Sequence, residues 1–141
     1  PLAERAEIAA RRAPQIARAL SGDLAGVMRD ELKPNYLADA GDTATLDLCL
    51  SMAEALGPEV FRRQSIALQG RADRTATLAR FTGPALVLMG SEDRLCPRDR
   101  HDLMHALMPQ SRLVIVEGAG HLPPLETPIR LRTALKDWLS S

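Results

Sequence analysis

The chain has 141 residues, 18 basic and 18 acidic, with a formal net charge of zero. That length fits one ordinary domain, and the balanced charge argues against nucleic acid or an anionic membrane surface as a partner. No apolar run approaches the ~20 residues of a membrane span, and no charged-then-apolar signal segment stands at the front. A start at Pro1, without a methionine, suggests a piece cut from something longer.

Hydrophobic residues make up 45% and aromatics only 3%, so the apolar mass is mostly Ala and Leu, which favour helix. Residues 3–20 read as helix, with Pro14 expected to end or kink it near Ala13. Ser21-Gly22-Asp23 reads as a stop and restart, and a short helix follows to about Leu32, before Pro34. Asn35 to Asp42 reads as loop. Asp42 or Thr43 then caps a helix whose apolar positions Leu46, Cys49, Leu50, Ala53 and Leu56 recur at helical spacing. Gly57 closes it, and Pro58 suits the first turn of a helix running to about Leu68.

The back half changes character. Ala85 to Met89 is a continuous apolar run of strand length, expected to be buried on both faces of a parallel sheet. Pro97 opens a helix to about Met108, and Leu113 to Val116 is a second such strand. A glycine- and proline-rich loop covers Gly118 to Glu126, and Thr127 and Pro128 cap and start a last helix to about Leu139. Strand, helix, strand, helix gives a parallel pair. Two such strands are too few for a sheet covered on both faces, so the topology reads as the final third of a larger α/β sheet.

Ligands of open parallel sheets bind outside the carboxyl ends of the strands. Two loops leave such ends here, Gly90 to Pro97 and Glu117 to Glu126, and they bring Asp93 and His121 to one rim. A carboxylate beside a histidine fixes its tautomer and stabilises the imidazolium formed when the ring accepts a proton. The ring is then a competent general base.

The stretch from about Phe81 to Leu139 resembles the C-terminal end of an α/β-hydrolase. The resemblance rests on Pro-Ala-Leu-Val-Leu-Met-Gly-Ser-Glu-Asp, residues 84–93, and Gly-Ala-Gly-His-Leu-Pro-Pro-Leu-Glu-Thr-Pro, residues 118–128. It implies the C-terminal part of an α/β-hydrolase fold over 61–141, preceded by a helical cap segment over 1–60. It also implies a triad in the chain order nucleophile, acid, histidine, with Asp93 as the acid and His121 as the base. The implied activity is hydrolysis of a small ester, lactone or related carbonyl substrate, without cofactor or metal. The alternative is a non-catalytic interaction or ligand-binding module on the same scaffold.

No Gly-x-Ser-x-Gly elbow occurs in the sequence, and the oxyanion-hole loop that precedes it is missing too. Ser91 follows the wrong strand to be the nucleophile, so this chain alone is expected to be inactive. The open strand edge leads to a further expectation: self-association, or association with the missing N-terminal part. Two cysteines, Cys49 and Cys96, make no disulfide framework and fit a reducing cytoplasm. Glu126 is read as bonding nearby backbone rather than acting on substrate. His101 and His105 have zinc-helix spacing but no third ligand, and are read as surface histidines on the margin of the helix packing face. Gly118-x-Gly120 lacks the third glycine of a phosphate loop.

Overall fold

The computed structural model describes residues 2–140. They form two compact units: a helical one, Leu2–Pro34 with Asp42–Asp73, and an α/β one, Asn35–Gly41 with residues 74–140.

The helical unit begins with α1, Ala6–Arg18. Of the two outcomes expected at Pro14, an end to the helix does not occur: the proline lies inside it. Proline removes one backbone donor from the helix, but α1 packs along α4, Pro58–Gln69, and that packing holds the turn despite the lost bond. Gln69 adds a tie between the two helices by donating from Nε2 to the Ala9 carbonyl at 2.9 Å. The true interruption is Gly22, whose φ of 102° is a backbone state that glycine adopts without steric cost. Asp23 restarts the chain, its Oδ1 accepting the Gly26 N–H at 3.0 Å over α2, Leu24–Gly26. Wide helical turns continue through Val27–Leu32. Ala19, Leu24, Val27 and Met28 are the buried apolar side chains here.

Asp42 caps α3, Thr43–Leu56, by accepting the Thr45 N–H at 3.0 Å. Gly57, at φ 80°, turns the chain into α4, and Pro58 occupies its first turn, where a missing N–H costs nothing. Of the apolar face expected on α3, Leu46, Cys49, Leu50 and Ala53 are half-buried, but Leu56 is exposed beside Leu48 and Met52.

The α/β unit holds α5 (Thr75–Ala79), β1 (Leu86–Gly90), α6 (Arg98–Leu107), β2 (Arg112–Val116), α7 (Pro123–Glu126) and α8 (Pro128–Leu139). The short helix α5 carries no periodic signal long enough to be read in advance. Strands β1 and β2 pair in parallel, in register from Leu86 opposite Arg112 to Gly90 opposite Val116. Helices α6 and α8 both pack against the pair. Val87, Met89, Gly90 and Val116 are buried, whereas the other strand residues are half-buried and Arg112 is exposed. Burial on both faces is therefore not reached with two strands.

Candidate active site

The site grows out of the two loops that leave the carboxyl ends of β1 and β2. Strand pairing extends one step past β1, because the Ser91 N–H donates to the Val116 carbonyl at 3.0 Å. Glu92 N–H then donates to the Ala119 carbonyl at 2.9 Å, and Gly118 N–H donates to the Ser91 hydroxyl oxygen at 2.9 Å. Ser91 thus stitches the two loops together. Gly90 is required for this closeness: a Cβ there would lie 2.1 Å from the Ala119 carbonyl oxygen.

Asp93 does two jobs with one carboxylate. Its Oδ1 accepts the backbone N–H groups of Leu95 at 2.9 Å and Cys96 at 2.8 Å, a local turn that fixes the side chain on its own loop. Its two oxygens also lie 3.1 and 3.0 Å from His121 Nδ1. The Asp93 side chain is 6% exposed and that of His121 34%. In the neutral ring a proton on Nδ1 serves this carboxylate and leaves the lone pair on Nε2. The turn role and the pairing role of Asp93 coexist, since an ionised carboxylate offers enough lone pairs for both.

His121 is fixed through its backbone as well. Its N–H donates to the Tyr36 carbonyl at 2.7 Å. Gly120 packs against the same segment so tightly that a Cβ would sit 2.6 Å from the Ala38 nitrogen. Glu126 accepts three N–H groups, from Ala38 at 2.7 Å, Gly120 at 2.8 Å and Leu122 at 2.9 Å. Bonding of Glu126 to nearby backbone follows from the sequence; its reach to Ala38, and the part played by Asn35–Gly41, do not. No local pattern links a loop near residue 36 to a histidine 85 positions later.

Asp93, Cys96 and His121 present donor atoms within 4.8 Å of one another, the one group of three metal-type donors among the described residues. The carboxylate in it already lies against the ring and accepts the Leu95 and Cys96 N–H groups. The other histidines lie elsewhere. His101 is buried, not at the solvent margin as expected, on a helix that packs against α5, β1 and β2; its Nδ1 is 3.4 Å from the Pro97 carbonyl. His105 Nδ1 lies 2.8 Å from the Ser111 hydroxyl.

Residues 1–134 match the model of the alpha/beta hydrolase family. The chain is 28% identical over 107 residues to the provisionally named carbamate hydrolase RutD of Pseudomonas savastanoi pv. phaseolicola, covering 76% of this chain and 41% of that protein. It is 35% identical over 63 residues to a pimeloyl-[acyl-carrier protein] methyl ester esterase of Yersinia pseudotuberculosis, covering 45% and 24%. Among solved structures it superposes on a thermophilic esterase from Thermogutta terrifontis with a TM-score of 0.85 at 26% identity, covering 99% of this chain and 52% of that one. It therefore spans about half the length, or less, of these relatives. Parallel strands, paired loops and a family match over nearly every residue agree: the chain belongs to the alpha/beta hydrolase family.

Proposed function

We propose that this chain supplies the acid and base of a hydrolase that cleaves a small ester, lactone or related carbonyl substrate. His121 Nε2 takes the proton of the attacking nucleophile and later of a water, while Asp93 holds the ring and stabilises the imidazolium. The observation that carries this reading is the Asp93–His121 contact at 3.0 and 3.1 Å, with Asp93 anchored to its own loop and the His121 N–H bonded to the Tyr36 carbonyl. The esterase names among the relatives support the substrate class. In this reading the helical residues within 1–60 correspond to a cap segment.

The nucleophile is supplied from outside these 141 residues, by a Ser, Asp or Cys on an elbow that this sequence does not contain. The chain accordingly works in association with that segment; pairing of two copies would cover the open strand edge but would supply no nucleophile. An aryl-ester assay tests the proposal: hydrolysis is expected from the longer protein and none from the chain alone. Turnover by the chain alone, in a preparation shown by mass spectrometry to hold no other polypeptide, would contradict it. A scaffold without catalysis would give no turnover in either form.

A further inference from the structure

Three consecutive backbone N–H groups, those of Gly120, His121 and Leu122, all point at acceptors brought in from elsewhere in the α/β unit. Gly120 and Leu122 donate to opposite oxygens of the Glu126 carboxylate, Oε2 and Oε1, and His121 donates to the Tyr36 carbonyl. The same Oε2 accepts the Ala38 N–H. One carboxylate thereby binds the residues on either side of the histidine and joins them to the segment whose carbonyl holds the histidine itself. Among the described residues no cation pairs with Glu126, so its charge is met by these N–H dipoles. Charge-assisted bonds of this kind are stronger than neutral ones and are costly to break in a covered site.

We infer that Glu126 is a positioning residue: with the Tyr36–Ala38 backbone it clamps the histidine loop and sets where the His121 ring meets Asp93. This deepens, and rests on, the reading of His121 as the base. Gly118 and Ala119 are tied to the Ser91 loop, and the clamp holds the three residues that follow. Pro123 and Pro124 lack N–H groups, and Gly118, at φ 73°, and Gly120 add backbone freedom. Small errors in ring placement matter, since a displacement of ~1 Å from a productive geometry costs on the order of 10²-fold in rate.

The chemistry of substitution follows from the count of acceptors. Glu126→Gln keeps the shape but replaces one oxygen with a donor, which then faces either Leu122 N–H or the pair from Ala38 and Gly120. Glu126→Asp keeps both oxygens on a shorter stem.

The test reads the ring directly, without substrate, by ¹⁵N-histidine NMR on the full chain. The sequence has three histidines, and His101 and His105, which bond Pro97 and Ser111, report whether the fold survives. In Glu126→Gln the exchange of the His121 Nδ1 proton with water is expected to rise about tenfold or more, the scale of a lost charge-assisted bond. The signals of His101 and His105 stay in place, and Glu126→Asp gives a smaller change. An unchanged His121 ring in Glu126→Gln would overturn the inference. Should the variants fail to fold, the wild-type chain still decides: the amides of Ala38, Gly120 and Leu122 are expected to be protected from hydrogen exchange. Exchange at unstructured-peptide rates at these three would overturn the inference equally. Loss of the hydrolase reading would leave these signals untouched, so the two failures are distinguishable.

Discussion

The two units are held together by different forces. The helical unit relies on charged side chains. Arg18 donates to Asp23 at 2.6 Å, Asp30 at 2.9 Å and Glu31 at 3.0 Å, while Arg12 pairs with Glu4 and Lys33 lies 3.7 Å from Asp47. The α/β unit around the site relies on backbone donors, two required glycines and two carboxylates, Asp93 and Glu126, that accept from the main chain. Long charged side chains tolerate movement and are screened by salt. Main-chain bonds and close glycine contacts do not slide. The contrast teaches where precision is invested: the loops that carry Asp93 and His121 are locked at the backbone, while the helical unit adds side-chain ion pairs to its caps at Asp23 and Asp42.

The largest effect that would sharpen this contrast is expected at Asp93. Asp93→Asn removes the charge that stabilises the imidazolium and invites the wrong ring tautomer, so kcat for ester hydrolysis by the longer protein should fall about 10³–10⁴-fold. No charge removal in the helical unit, Arg18→Ala included, should approach that loss. Next come the glycines. Gly120→Ala forces a Cβ to 2.6 Å from backbone, and overpacking of that kind costs about 1–3 kcal/mol in a thermal or denaturant melt, with loss of activity. Gly22→Ala meets no atom within 4 Å but must hold φ 102°, which costs about 1–2 kcal/mol and leaves activity alone. Equal activity losses for the two would break the comparison.

A third expectation concerns acid. Hydrogen bonding to Arg12 holds the Glu4 carboxyl below its usual range, and Arg18 and Thr45 do the same for Asp23 and Asp42. Carboxyls lowered in the folded state add stability that is complete above their ordinary values and is lost as pH falls through the lowered ones. The helical unit should therefore lose stability below about pH 4, seen as a drop in melting temperature of the helical circular dichroism signal. Added salt should reproduce part of this at neutral pH, and no response to either would contradict the charge-held reading. The smallest effect concerns the thiols. Burial pushes the Cys49 thiol up, while Cys96 is exposed, so iodoacetamide is expected to modify Cys96 first, by peptide mass mapping.

Much of the site unit was legible because its signals are local. Apolar runs mark β1 and β2, Pro97 and Pro128 mark helix starts, and Asp93 and His121 sit just past strand ends where parallel sheets place their chemistry. Asp42 and Gly57 were equally readable as punctuation of α3. What escaped depends on tertiary packing. Pro14 stays helical because α1 lies along α4, and His101 is buried on a helix that packs against α5, β1 and β2. Tyr36 and Ala38 hold the histidine loop through main-chain groups, which leave no trace in side-chain identity.

The most direct measurement is kcat/KM for an aryl ester in the longer protein with His121 intact and as His121→Ala. A loss of about 10³-fold or more, with the melting temperature unchanged, is expected of a base held by Asp93. Activity within a few-fold of wild type would contradict the assignment of His121 as that base.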